Sequence, residues 1–173
     1  MNKLLYQFFT EDHHRVEGFL NKATAIPGQI DENYYHQFRV GLLKHIKMEE
    51  KILFPAAQKA NNNEPIPLAA KLRLDHGALT ALMVVPPTDD LIKVIRYVLE
   101  KHDILEEEPG GMYDICEGLT QHQTHEILEE LNKATEVPVQ AHNKADYVLD
   151  VAKRTLQRAG FDYDQILQQL KQK

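Results

Sequence analysis

The sequence lacks the residues that several common kinds of functional site require. It contains a single cysteine, Cys116, which excludes an intrachain disulfide and a cysteine-based zinc site. Tryptophan is absent, and Lys and Arg are scattered among a larger number of acidic residues, so that the formal net charge is −6. Because no basic cluster is available to neutralise phosphates, we expect no nucleic-acid partner.

Long hydrophobic runs are also missing. No stretch approaches the roughly 18 apolar residues that indicate a membrane-spanning helix. The partly apolar segment 1–10 is followed at once by Glu11, Asp12 and two histidines, without the cleavage site of a signal peptide. We therefore expect no membrane partner and a cytoplasmic location, which a single thiol fits.

Apolar residues recur at helical spacing between turns that contain proline or glycine. This pattern predicts helices near 2–24, 31–60, 66–85, 89–107, 112–134, 138–159 and 162–172, with a kink at Pro55 in the second. The predicted fold class is therefore all-α. Short connections favour an up-and-down antiparallel four-helix bundle over 1–108. Residues 109–173 are expected to form a helical extension, packed on the bundle or joining subunits of a homo-oligomer.

The chain has nine histidines, and two of them begin the same short motif. His45 and Glu49 lie four residues apart, as do His102 and Glu106, so that both pairs read H-x-x-x-E. Because four residues return a helix to the same face, each pair presents an imidazole and a carboxylate in one direction.

The first and third predicted helices add one inward histidine each. His13 is in register with Phe9 and Val16, and His76 is in register with Leu72 and Leu79, so both are expected to face the core. A helix with one inward histidine followed by a helix with H-x-x-x-E thus occurs twice. The sequence predicts six metal ligands, which are His13, His45, Glu49, His76, His102 and Glu106.

Burial explains why these groups indicate a cation. A buried carboxylate without a partner costs several kcal/mol, and two of them also repel each other. Imidazole and carboxylate suit iron, with zinc and manganese as alternatives. If Glu49 and Glu106 each bridge two ions, each ion receives about two nitrogens and two oxygens, which leaves coordination positions open for a small ligand.

Other polar residues have weaker signals. His122 and His125 are three residues apart and are candidates for a minor surface metal site, whereas His14, His36 and His142 are expected to face solvent. Asp12, Asp75 and Asp103 each adjoin a predicted ligand and are candidates for orienting one. Glu107 is an alternative ligand if the fourth helix distorts before Pro109.

These residues resemble the hemerythrin-like, or HHE cation-binding, domain. The similar segments are Asp12-His13-His14 and the stretch from His45 to Pro55, within a resemblance that covers about 1–108. It implies a di-iron four-helix bundle with bridging carboxylates at Glu49 and Glu106. Oxygen-carrying members have a further histidine where this chain has Leu72, so that the ligand set is closest to bacterial repair-of-iron-centres proteins and to the iron-sensing domain of an F-box ubiquitin-ligase subunit.

The leading hypothesis is a non-haem di-iron protein that binds or reacts with O₂, peroxide or NO under iron, oxidative or nitrosative stress. A second hypothesis is a metal- or oxygen-dependent sensor or interaction module without turnover. A third is a zinc-binding or metal-free structural bundle. No phosphate-binding loop or Ser/His/Asp signature is present, so we assign no catalytic residue acting on an organic substrate.

Overall fold

A computed structural model of the chain describes residues 3–172, and none of these residues lies in a β-strand. They divide into two compact units. Unit 1 contains the described residues up to Ala69 together with Ile104–Val139, and unit 2 contains Ala70–Asp103 and the described residues from Gln140 onward. The expected all-α class is confirmed, including additional helices in the second part of the chain. The division into domains at residues 108 and 109 stays a prediction.

The helices, in chain order, are α1 Leu4–Ala23, α2 Glu32–Met48, α3 Phe54–Ala60, α4 Ala69–Val84, α5 Asp89–Glu107, α6 Met112–Thr120, α7 Thr124–Lys133, α8 Val148–Arg158 and α9 Tyr163–Lys171, with a π-helical turn Glu49–Leu53 between α2 and α3. The first four predicted helices and the last one are therefore found close to their expected positions. The expected start at residue 2 lies outside the described residues.

In unit 1, α1 packs against α2 along the predicted apolar stripe. Leu5, Phe9, Val16 and Leu20 are buried on one face of α1, and His13 lies in the same row. The first turn of α2 is capped by Asp31, whose side chain accepts hydrogen bonds from the backbone N–H groups of Asn33 and Tyr34. Sequence periodicity and capping thus determine the two helices that carry His13 and His45.

The predicted kink at Pro55 is replaced by a π-helical turn. Proline has no N–H to donate to the carbonyl group of Lys51, and its ring clashes with that carbonyl in a regular α-helix. The chain widens over Glu49–Leu53, where the Phe54 N–H bonds to the Glu49 carbonyl five residues earlier. Such turns are common at functional sites, and this one begins at a predicted ligand.

The segment Pro109-Gly110-Gly111 turns the chain from α5 into α6 within unit 1. Gly110 has a φ of +82°, a conformation that glycine adopts without steric cost. At Gly111 a Cβ atom would lie 2.8 Å from the backbone oxygens of Leu105, Glu106 and Glu108. Only glycine fits this approach, and α6 then packs against α1 and α3.

Unit 2 contains α8 and α9, which pack on each other, and most of α4 and α5. Its buried side chains are largely aliphatic, including Leu72, Leu79, Val94, Ile95 and Leu156. Among them lie buried His76, His102 and Asp75. Unit 2 therefore buries two of the predicted ligands.

Two predicted helices are wrong in extent. The stretch 112–134 is divided into α6 and α7 by a turn at 121–123, and 138–147 is not helical. The Asn143 N–H bonds to the Val84 carbonyl, and the Asn143 side chain accepts from the Ala145 N–H, so these groups are satisfied outside a helix.

Candidate metal centre

Four of the predicted ligands meet in the interior of unit 1. His13 comes from α1, His45 from α2, Glu49 from the π-helical turn and Glu106 from the last turn of α5. All four are buried, and the two carboxylates are fully so, at 0% exposure. One ligand atom from each lies within 4.8 Å of the others, a spacing suited to holding one cation. The predicted i,i+4 geometry is seen directly, since His45 Nε2 lies 3.4 Å from Glu49 Oε1.

Each histidine of this cluster is held by a carboxylate from another helix. His13 Nδ1 lies 2.6 Å from Glu107 Oε1, and His45 Nδ1 lies 2.8 Å from Asp12 Oδ2. An ionised carboxylate only accepts hydrogen bonds, so Nδ1 carries the proton and donates it. The lone pair of each imidazole then lies on Nε2, which is directed into the cluster, as it is in histidines that bind metals.

The hydroxyl group of Tyr113 lies among these four groups. It is 2.7 Å from Glu49 Oε1 and 2.9 Å from Glu106 Oε2. It also lies 3.1 Å from His13 Nε2 and 3.2 Å from His45 Nε2. Tyr113 is at the start of α6, which we had expected to belong to an extension separate from the ligand helices.

The chemistry and charge of these side chains favour a cation. Two imidazole lone pairs and two carboxylate oxygens are all acceptors, and the Tyr113 hydroxyl has one proton to donate. The two carboxylates, buried this close to each other, also repel, and a cation between them would relieve that repulsion. A metal ion accepts electron pairs from imidazole and carboxylate together, and the chemistry of this donor set therefore fits one.

Burial and neighbouring charges shift the pKa values of His45 and Tyr113 in this cluster. Burial lowers the pKa of His45, but the Glu49 carboxylate and the hydrogen bond to Asp12 outweigh it, so that the pKa lies above its usual value. Burial, reinforced by Glu106 and Glu49, raises the pKa of Tyr113 far above its usual value.

Helix α6 is attached to the start of α1 by buried and exposed contacts. Glu117, which is buried, accepts hydrogen bonds of 2.8 and 3.0 Å from the backbone N–H groups of Leu5 and Tyr6. A carboxylate at this end of a helix also complements the helix dipole. Lys3 and Asp114 form a second link of 2.7 Å at the surface. These contacts fix the position of Tyr113 relative to His13.

The other two predicted ligands lie in unit 2. His76 and His102 are buried, and their rings are 4.8 Å apart between centroids. His102 Nδ1 lies 3.5 Å from Asp75 Oδ2, and the other oxygen of Asp75 pairs with Lys71. The structure thus brings these two imidazoles together, with an aspartate beside one of them.

The weaker sequence signals have mixed outcomes. His122 and His125 are exposed and belong to no cluster of metal-binding groups among the described residues. His14 and His36 are exposed as expected, whereas His142 is half-buried. Asp12 and Asp75 contact histidines, although each contacts one on a different helix from its own.

Sequence reasoning missed Tyr113 and Glu117. Neither belongs to a recognisable ligand motif, and the signal that locates them is the Pro109-Gly110-Gly111 turn, which begins three residues after Glu106. That turn folds the following helix back toward the start of α1, which the helical period of α6 alone does not show.

Residues 4–85 match the family model described as Hemerythrin HHE cation binding domain. The match covers slightly less than half of the chain and supports a relationship to this family. It includes His13, His45, Glu49 and His76, and it ends before His102 and Glu106. No curated protein and no solved structure matches the chain. Within residues 3–172, no helix has the length and apolar character needed to cross a membrane.

Proposed function

We propose that this hemerythrin-like chain is a non-haem iron protein whose buried centre binds or reacts with O₂, peroxide or NO. Its role would lie in the response to iron, oxidative or nitrosative stress. The observation that supports this proposal best is the burial of two carboxylates and two imidazoles in unit 1 with one ligand atom of each within 4.8 Å of the others. Such a cluster is costly unless a cation neutralises it.

His13, His45, Glu49 and Glu106 would hold the first ion. By the sequence repeat, His76 and His102 would supply nitrogens to a second ion, and the two glutamates would bridge the ions. Both unit 2 histidines are buried, as ligands of such a centre need to be. Iron is favoured over zinc because the family resemblance implies it, while the donor types alone also allow zinc and manganese.

When bound, iron would supply one-electron chemistry and a coordination position for a small ligand. The protein's own contribution is to exclude water and to orient the donors. Asp12 and Glu107 hold the imidazole rings of His45 and His13, so that their Nε2 lone pairs face inward. Removing partners of this kind commonly costs about ten- to hundredfold in metal affinity.

Elemental analysis of the purified protein, combined with an optical spectrum in air, tests this proposal. Growth in iron-rich medium should give iron in the protein, at up to two ions per chain, with charge-transfer absorption. Full zinc occupancy under these conditions would favour a structural zinc site. A folded protein without transition metal would contradict metal binding altogether.

A sensor without turnover is the second candidate, and the position of α6 favours it. Tyr113 links the ligand cluster to the helix whose Glu117 caps α1, so a change at the cluster would be transmitted to both helices. Hydrogen exchange in 112–139, with and without iron, distinguishes the candidates. Equal protection in the two states would count against sensing.

A cytoplasmic location and a homo-oligomer formed through the C-terminal helices remain predictions from the sequence. The location extends the same proposal, since a single thiol fits a reducing compartment. Sedimentation of the full chain would measure its oligomeric state.

A further inference from the structure

We propose that Tyr113 is itself a ligand of the metal ion, and that its phenolic oxygen completes a five-donor set with His13, His45, Glu49 and Glu106. The inference rests on the proposed function, because it requires that a metal binds in unit 1. It extends that function by assigning a ligand from outside the two repeated motifs.

The distances between the donor atoms support a common coordination shell. Metal–ligand bonds to nitrogen and oxygen of about 2.1 Å place neighbouring donors of an octahedral shell about 3.0 Å apart. The Tyr113 oxygen lies 2.7–3.2 Å from all four other donors. His13 Nε2 lies 3.3 Å from Glu106 Oε2, and His45 Nε2 lies 3.4 Å from Glu49 Oε1. The phenolic oxygen is thus a neighbour of every other donor, as the apex of a five-donor set would be.

The surroundings of Tyr113 keep its oxygen at this place. Its ring stacks on Phe9, with centroids 5.2 Å apart and planes inclined by 24°, and Tyr6 packs edge-on against it. Tyr113 is 1% exposed, and α6 is attached to α1 through Glu117. A ligand held by packing in this way needs little reordering when an ion binds.

Charge balance indicates which ion this set prefers. Two carboxylates and one phenolate carry three negative charges, and the two imidazoles are neutral. An iron(III) ion would neutralise the set, while the phenolic proton leaves to solvent on binding, as protons do when metals displace them from ligands. Phenolate is an established ligand of protein-bound iron. Tyr113 would therefore stabilise iron(III) relative to iron(II) and favour an oxidised resting state.

Resonance Raman spectroscopy of the full chain tests this assignment. Wild type, Tyr113→Phe and Tyr6→Phe proteins are loaded with iron(II) under argon and exposed to air, and their iron content is measured. Excitation in the visible charge-transfer band enhances ring vibrations of a tyrosine only when its oxygen coordinates iron(III). Tyr6 is the matched control, because it lies beside Tyr113 and its hydroxyl donates to the Glu107 carbonyl.

Wild type and Tyr6→Phe should show these vibrations, and Tyr113→Phe should lose them and bind iron at least about tenfold more weakly. Iron-loaded wild type without phenolate vibrations would overturn the assignment while leaving metal binding intact, and this result does not depend on whether a variant folds. Vibrations that persist in Tyr113→Phe would also overturn it. Wild type that binds no iron would instead overturn the proposed function.

Discussion

Asp12 in unit 1 and Asp75 in unit 2 use their two oxygens in the same way. One oxygen of Asp12 pairs with Arg15, and the other lies 2.8 Å from His45 Nδ1. One oxygen of Asp75 pairs with Lys71, and the other lies 3.5 Å from His102 Nδ1. Asp12 directly precedes His13 in the sequence but contacts His45. In the same way, Asp75 precedes His76 but contacts His102. Both contacted histidines belong to an H-x-x-x-E motif. The repeat read in the sequence therefore extends to the residues that orient the ligands.

The two regions differ in what surrounds their histidines. Unit 1 contains both glutamates and Tyr113 beside His13 and His45, whereas unit 2 contains His76 and His102 with Asp75 beside His102. The distance between the aspartate oxygen and the histidine Nδ1 is also shorter in unit 1, at 2.8 Å, than in unit 2, at 3.5 Å. A repeated sequence pattern has thus produced two regions with different sets of buried polar groups.

Removing one histidine from each region should give the largest effects. His45→Ala deletes a donor of the unit 1 cluster and should abolish most metal binding, measured as iron per chain by elemental analysis. His102→Ala should lower the iron content by about half if it holds a second ion. His14→Ala, on the exposed face of α1, is the control and should change nothing. Equal losses in all three variants would contradict the assignment of inward faces.

Gly111→Ala should disturb the turn that brings α6 to unit 1. A Cβ atom there would meet three backbone oxygens at 2.8 Å, which should lower the free energy of unfolding by about 1–3 kcal/mol. Gly118→Ala is the matched control, since its Cβ atom would meet nothing within 4 Å, and alanine should stabilise α6 by about 0.5–1 kcal/mol. Thermal unfolding of both variants measures the difference. Equal changes would show that the turn is not constrained.

Asp12→Asn and Asp75→Asn compare the two orienting contacts directly. Asp12→Asn should lower iron affinity about ten- to hundredfold, because His45 loses the carboxylate that fixes its Nδ1 proton. Asp75→Asn should have a smaller effect, because its contact with His102 is longer. Competition with a coloured chelator measures both affinities. A larger loss from Asp75→Asn would reverse our ranking of the two regions.

Acid should weaken metal binding below about pH 6, because ligand histidines must be neutral. An imidazole of ordinary pKa, about 6.5, would reduce the affinity about fourfold at pH 6. The pKa of His45 in the metal-free protein is raised, so its proton competes with the metal from a higher pH. Affinity measured from pH 8 to pH 5.5 should therefore decrease steadily. An affinity that does not change over this range would show that no histidine is a ligand.

The parts of the site that could be predicted from sequence are those governed by local helical geometry. The period of α1 directs His13 inward, and a four-residue spacing aligns His45 with Glu49. The position of Tyr113 depends instead on the turn at Gly110 and Gly111 and on the contact of Glu117 with another helix. Such contacts are distant in sequence and leave no periodic signal.

The segment 138–147 shows the same limit in the fold. Its alanines lie at helical spacing, but the Asn143 N–H bonds to Val84, nearly 60 residues earlier in the chain. A tertiary hydrogen bond thus overrides local propensity.

Anomalous X-ray diffraction from crystals of the iron-loaded protein, collected at the iron absorption edge, tests the central claim most directly. We expect an anomalous peak within bonding distance of His13, His45, Glu49 and Glu106. The absence of a peak there, in crystals whose protein contains iron by elemental analysis, would contradict the account.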